Sequence, residues 1–254
     1  MDLTMLDQFT YEEYGELLQL IRTGRANLRF ADCEWAEVPP RYFLLRHDID
    51  FSPEAGLEMA RFETARGIRA TFFLLLSSPF YNLMSEAYCT VPRQLAALGH
   101  EVGLHYDVKA MAERARGDLL EELETEVHQL GRLAGEPIRS VAMHNPSVHG
   151  EDPFLLGTRF INAYDQRFTK DIAYFSDSCG AWRNTTFEIL TSGQLPDRLQ
   201  LLVHPLFWGG QSGNRWERLQ TFVNGSQTKL LKQQEEIREL WLTHPGVREH
   251  DSRT

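Results

Sequence analysis

Cysteine is scarce in this chain of 254 residues. Cys33, Cys89 and Cys179 lie far apart, and none belongs to a C-x-x-C pair. That excludes a disulfide framework and a zinc knuckle. Basic residues are also in deficit: 26 Lys and Arg face 36 Asp and Glu, for a formal net charge of -10. Nucleic acids and anionic membrane surfaces select basic patches, so neither is expected as a partner. No apolar run is long enough to span a membrane. The first residues, Met-Asp-Leu-Thr-Met-Leu-Asp, lack the basic and apolar segments of a signal peptide. The expected location is therefore cytoplasmic. Phosphate-cradling G-x-x-x-x-G-K-[ST] and G-x-G-x-x-G loops are missing, as is the G-x-S-x-G nucleophile elbow. There is no internal repeat and no low-complexity tract.

What is present is ample core material, 42% hydrophobic residues, read as a single domain over 1–254. Thr10 and Glu13 form a capping-box pattern ahead of a helix that runs to Ile21. Residues 27–40 read as irregular. Apolar runs at 42–45 and 70–76 suit strands buried on both faces. Helices are expected over 53–66, 92–98 and 118–134. Strands are expected at 101–105, 140–143, 161–164, 172–175 and 199–203, with a helical turn at 153–156 and a loop at 177–182. Gly209, Gly210 and Gly213 form a link to a long amphipathic helix from Arg215 to about Thr243, with a frayed tail after Pro245. Alternating strands and helices predict a mostly parallel α/β sheet, either a barrel or a doubly wound layer.

The chemistry gathers at strand ends. Asp48 and Asp50 follow the apolar run Tyr42–Leu45 and share a face by strand alternation. Two carboxylates there repel unless a cation or a proton lies beside them. A plain alternative is a helix N-cap by Asp50 or Ser52 ahead of Pro53. His105, His144 and His204 close three further strands. In parallel α/β folds the C-terminal strand ends form the functional face. One Asp and two His would hold a divalent metal with open positions. A second carboxylate would serve as a base and a further His as an acid, the set needed to cleave an amide or ester.

On these residues the sequence resembles the polysaccharide deacetylase superfamily, the NodB-homology or carbohydrate esterase family 4 group, across about Arg41 to Trp208. His47-Asp-Ile-Asp50 resembles a D-x-D form of its first block. Gly99-His-Glu-Val-Gly-Leu-His105 resembles the second and Leu202-Val-His204-Pro the fifth. The resemblance implies a distorted (β/α) barrel and a bound divalent metal, zinc above others. It implies Asp48 as base, Asp50 and His105 as ligands, and His204 as general acid. The family's second histidine ligand falls at Lys109, which has no lone pair to give. Asp107 or His144 would replace it, and His144 is preferred because it ends a strand. Asn145 stands where an Arg usually holds the base. Asp177 and Trp182 match the fourth block, Leu201 is expected to line the acetyl pocket, and Trp208 is expected to wall the site. His47 and His100 are expected to be structural.

The function read from this pattern is deacetylation of an N-acetylated sugar. The substrate would be nucleotide- or lipid-linked, an intermediate of surface-polysaccharide or O-antigen synthesis. Two alternatives use the same residues: a degenerate barrel that binds a glycan or partner without turnover, and hydrolysis of another amide. The sugar and the oligomeric state are not legible.

Overall fold

Thr10 opens helix α1 (Tyr11–Arg22) through a reciprocal cap. Its Oγ1 accepts from the Glu13 N–H at 3.2 Å, and Glu13 Oε2 accepts from the Thr10 N–H at 3.0 Å. This computed structural model describes residues 8–33, 38–115 and 117–244. The tail after Pro245 lies outside them. A short strand, β1 (Ala26–Leu28), follows in the stretch expected to be irregular. Then come β2 (Tyr42–Ile49), α2 (Pro53–Thr64), β3 (Thr71–Leu75), α3 (Val91–Ala97), β4 (Glu101–Tyr106) and α4 (Val108–Arg114). The chain continues through α5 (Leu119–Ala134), β5 (Ser140–Met143), α6 (Pro146–His149), β6 (Ile161–Asn162), α7 (Gln166–Thr169) and β7 (Ala173–Ser176). It ends with α8 (Asn184–Ser192), β8 (Arg198–Val203) and α9 (Arg215–Thr243). By its contacts the chain divides into two units, Met1–Asn214 and Arg215–Thr254. The first holds the sheet and the second holds α9.

Every strand pairing is parallel, in the order β6-β5-β4-β3-β2-β8-β7, with β1 against the start of β2. The sheet curls. The Arg46 guanidinium of β2 lies 4.4 Å from the ring centroid of Tyr164, just after β6. Those strands are four positions apart, about 19 Å in a flat sheet. The result is a distorted (β/α) barrel, with no ladder joining β6 to β7 among the described residues.

Strand alternation sorts the residues into two layers. Phe43, Leu45 and Ile49 of β2 pack outward under the helices with Phe72, Leu104 and Leu201. Tyr42 and Leu44 face inward with Phe73, Ala142 and Phe168. A polar floor closes the barrel interior near the strand starts. The buried Glu101 carboxylate accepts from the Ser140 hydroxyl at 2.7 Å, the Thr71 hydroxyl at 2.8 Å and the Ala31 N–H at 2.9 Å. Above it, Phe73 fills the interior. A Cβ at position 103 would lie 2.5 Å from the Phe73 ring, so only glycine fits there.

Candidate active site

At the C-terminal end of the strands the inner face becomes ionisable. β2 presents Arg46 and then Asp48, two residues apart and therefore on one face. Arg46 is fully buried and grips Asp48 at both oxygens, Nε to Oδ1 and Nη2 to Oδ2, each at 2.8 Å. The guanidinium lies between the Tyr164 and Phe73 rings. Burial alone would raise the Asp48 carboxyl, but Arg46, with His105 and His204, outweighs it and holds it below the usual range. Asp48 is thus a carboxylate locked in one orientation.

Asp50 sits just past the strand. It does not cap α2: the Ala55 N–H goes to Ser52 Oγ at 3.2 Å. Instead Asp50 Oδ1 lies 3.3 Å from His105 Nε2 and 3.4 Å from His144 Nδ1, and those two nitrogens are 3.2 Å apart. Ligand atoms ~2.1 Å from a tetrahedral cation stand about 3.4 Å from one another, so the three atoms have the spacing of one face of such a site. Asp50 Oδ1 is buried and accepts no hydrogen bond in the protein. His105 Nδ1 lies 2.8 Å from the Ala142 carbonyl and must donate to it, which leaves Nε2 as a lone pair facing Asp50. His144 Nε2 meets the Asn145 side-chain amide at 2.9 Å. The amide nitrogen donates to Nε2, and Nδ1 is the ring nitrogen that faces Asp50 and His105. An oxygen and two imidazole nitrogens suit a divalent ion such as zinc. Lys109 is exposed at the start of α4, and its N–H bonds Asp107 Oδ1 at 2.9 Å. Asp107 caps that helix, so His144 completes the trio and neither of these does.

His204 stands across from Asp48. Its Nδ1 lies 2.6 Å from Asp177 Oδ1, and its Nε2 looks toward Asp50 Oδ2 at 4.0 Å. Burial pulls the imidazolium down, but the Asp177 charge and hydrogen bond, helped by Asp50 and Asp48, push it up to about 9. At neutral pH His204 is therefore a proton donor. Asp177 is itself fully buried, and it also accepts the His204 N–H and, at 2.9 Å, the Trp208 indole N–H.

Four expected roles change. Asp177 is sealed beneath His204 and orients it; it is not open to a substrate. Trp208 is buried and spends its N–H on Asp177, so it braces that carboxylate instead of walling the site. Leu201 belongs to the outer layer, because strand alternation gives the inner face to Gln200, Leu202 and His204. Asn145 touches His144 and does not hold Asp48; Arg46 does. Trp182 is half-buried, stacked on Phe9 at 6.0 Å and edge-on to Trp208 at 6.1 Å. The residue that the motif reading passed over is Arg46. Its signal was a lone arginine within an apolar strand, in phase with Asp48.

No family model and no curated protein matches the sequence. Several solved structures share similarity at low identity. The polysaccharide deacetylase Bc1974 from Bacillus cereus is 15% identical, with a TM-score of 0.42 over 65% of this chain and 79% of its own. The peptidoglycan deacetylase PdaC from Bacillus subtilis is 15% identical, with a TM-score of 0.41 over 80% of this chain and 98% of its own. The Xyl-CE4 domain of a multidomain xylanase from the hindgut metagenome of Trinervitermes trinervoides is 15% identical, with a TM-score of 0.44 over 82% and 94%. At such identity the chemistry of this site rests on its own geometry.

Proposed function

We propose that this chain is a divalent-metal-dependent amide hydrolase that removes the acetyl group from an N-acetylated sugar. The observation that carries the reading is the convergence of Asp50 Oδ1, His105 Nε2 and His144 Nδ1 within 3.2–3.4 Å of one another, flanked by a clamped carboxylate and a protonated imidazole. Asp50, His105 and His144 would hold the cation, zinc by the donor set, and a bound cation would supply Lewis-acid polarisation of the acyl carbonyl. The protein's own residues supply the rest. Water adds to the carbonyl carbon as Asp48 takes its proton. His204 Nε2 then gives a proton to the amide nitrogen, the C–N bond breaks, and acetate and a free amine leave.

Two features support a sugar as the substrate. One is the resemblance of blocks one, two and five to polysaccharide deacetylases. The other is the aromatic pair beside the trio. Phe51 follows Asp50 directly and lies 4.8 Å from the half-exposed Phe80, offering an apolar surface to a pyranose face. The Ser78 hydroxyl donates to the Asp50 carbonyl at 3.1 Å and ties that loop to the ligand. Among the described residues no helix is long and apolar enough to cross a membrane. The reading extends to a cytoplasmic, nucleotide- or lipid-linked acetamido-sugar of surface-polysaccharide synthesis.

Acetate release from a panel of acetamido-sugars, with zinc or cobalt supplied, tests this. Turnover that disappears in Asp48→Asn and His204→Ala supports it. A metal-free protein that binds glycan without releasing acetate would favour a non-catalytic lectin-like barrel instead.

A further inference from the structure

The hydrogen bonds through the two candidate imidazole ligands run in one direction. The Ala142 carbonyl can only accept, so the neutral His105 ring carries its hydrogen on Nδ1 and presents a lone pair at Nε2. His144 Nδ1 lies 3.2 Å from that lone pair and is therefore the donor of the pair. His144 Nε2 is left to accept, and Asn145 Nδ2 stands 2.9 Å from it as a donor. The neutral His144 ring thus holds its hydrogen on Nδ1, the nitrogen that also faces Asp50 at 3.4 Å. That nitrogen can ligate a cation only once the hydrogen is carried on Nε2 instead. His105 needs no such change, because a carbonyl fixes its tautomer.

A hydrogen on His144 Nε2 would point at the hydrogens of Asn145 Nδ2, donor against donor. The conflict is removed if the Asn145 amide turns over and offers Oδ1. Asn145 is placed to do this. It is exposed, so the turn disturbs no packing. It stands at the N-cap position of α6, yet its side chain makes no capping hydrogen bond. Its backbone is left-handed, with φ 47° and ψ 55°, a region that Asn, Asp and Gly enter most readily. A residue in that conformation, beside a ligand and spending its amide on the ligand's ring, points to a role at the site.

We propose that Asn145 is a positioning residue whose amide turns over to set the tautomer of His144, switching the ring between this hydrogen-bonded row and a metal ligand. The inference rests on Asp50, His105 and His144 being the metal site of the hydrolase reading. Nitrogen-15 NMR of the histidine-labelled full chain tests it, recorded where the rings are neutral and with His144 assigned by its loss in His144→Gln. The hydrogen should lie on Nδ1 without zinc and on Nε2 with zinc. In Asn145→Asp, whose carboxylate only accepts, it should lie on Nε2 before zinc is added, and zinc should bind roughly tenfold tighter in competition with a chromophoric chelator. Ser147→Asp adds the same charge two residues away and should leave the tautomer as in the wild type. A hydrogen on Nε2 in the metal-free wild type, or an Asn145→Asp tautomer equal to the wild type's, overturns this inference and leaves the hydrolase reading standing. Failure of zinc to bind the wild type overturns both.

Discussion

Strand β2 carries a histidine–carboxylate cluster on each face, and the two are built to opposite rules. On the outer face, His47 Nδ1 donates to the Val203 carbonyl at 3.0 Å and Nε2 meets Glu63 Oε1 at 2.7 Å. Tyr14 donates to that same oxygen at 2.5 Å. His100 accepts from the Ala70 N–H at 3.0 Å, and its Nε2 lies 3.0 Å from the Ala60 carbonyl. Each of these imidazole nitrogens has a protein partner, and solvent is shut out. On the inner face, donor atoms of Asp50, His105 and His144 point at one another, and Asp50 Oδ1 has no hydrogen bond. Residue types alone do not separate a binding site from a structural knot. What separates them is geometry: only the inner cluster brings a carboxylate oxygen and two imidazole nitrogens of three residues within 3.2–3.4 Å of one another, whereas outside, Glu63 Oε1 is shared by His47 and Tyr14 and Oε2 is left without a hydrogen bond.

This contrast can be broken by experiment. The largest effect should follow loss of an inner ligand. Asp50→Ala or His105→Ala should abolish bound metal and lower acetate release by a factor of 10³ or more, an estimate from the catalytic weight of such ions. Metal content by mass spectrometry and a chelator-and-readdition assay would check it. Glu63→Gln in the outer cluster should instead cost about 1–3 kcal/mol in urea unfolding while folded protein keeps its turnover and metal. If Glu63→Gln removed the metal, the distinction would collapse.

Next comes the clamp. Arg46→Met leaves Asp48 buried without its partner and should cost about 3–5 kcal/mol. Adding Asp48→Leu removes the stranded charge and should recover much of that stability, but no activity. A double-mutant cycle measured by chemical denaturation gives the coupling.

A smaller effect concerns pH. His204 must be protonated to donate, and its imidazolium is held up to about 9 chiefly by Asp177 against the pull of burial. Its ordinary value is lower, so activity from this group is present at neutral pH and is lost as pH rises through about 9. Asp177→Asn should move that alkaline limb to lower pH. The pH profile of kcat would reveal it. Smallest of all, Phe80→Ala should raise KM several-fold with little change in kcat, as loss of one ring contact implies.

Much of the fold was legible because its signals are local and repeated. The Thr10 capping box and the apolar run Tyr42–Leu45 each encode their own structure. Asp48, Asp50, His105, His144 and His204 could be nominated together because parallel strands deliver their last residues to one end. β1 was missed, since Ala-Asn-Leu is too short to show alternation. α8 was missed because Asn-Thr-Thr-Phe-Glu-Ile-Leu-Thr-Ser is poor in strong helix formers. Leu201 was misassigned by motif likeness, although counting by two from His204 already sends it outward. The Arg46 clamp was hidden for a different reason. An arginine in an apolar run reads as an interruption until the curl of the sheet brings Tyr164 over it.

The glycine at 103 has a last consequence, for traffic. With Phe73 occupying the space a side chain would need, and Glu101 knotted to Thr71 and Ser140 below it, the described residues fill the barrel interior beneath the site. On the proposed reaction, an acyl fragment freed above this plug would depart on the side from which the next sugar arrives, so departure and arrival would compete for one doorway.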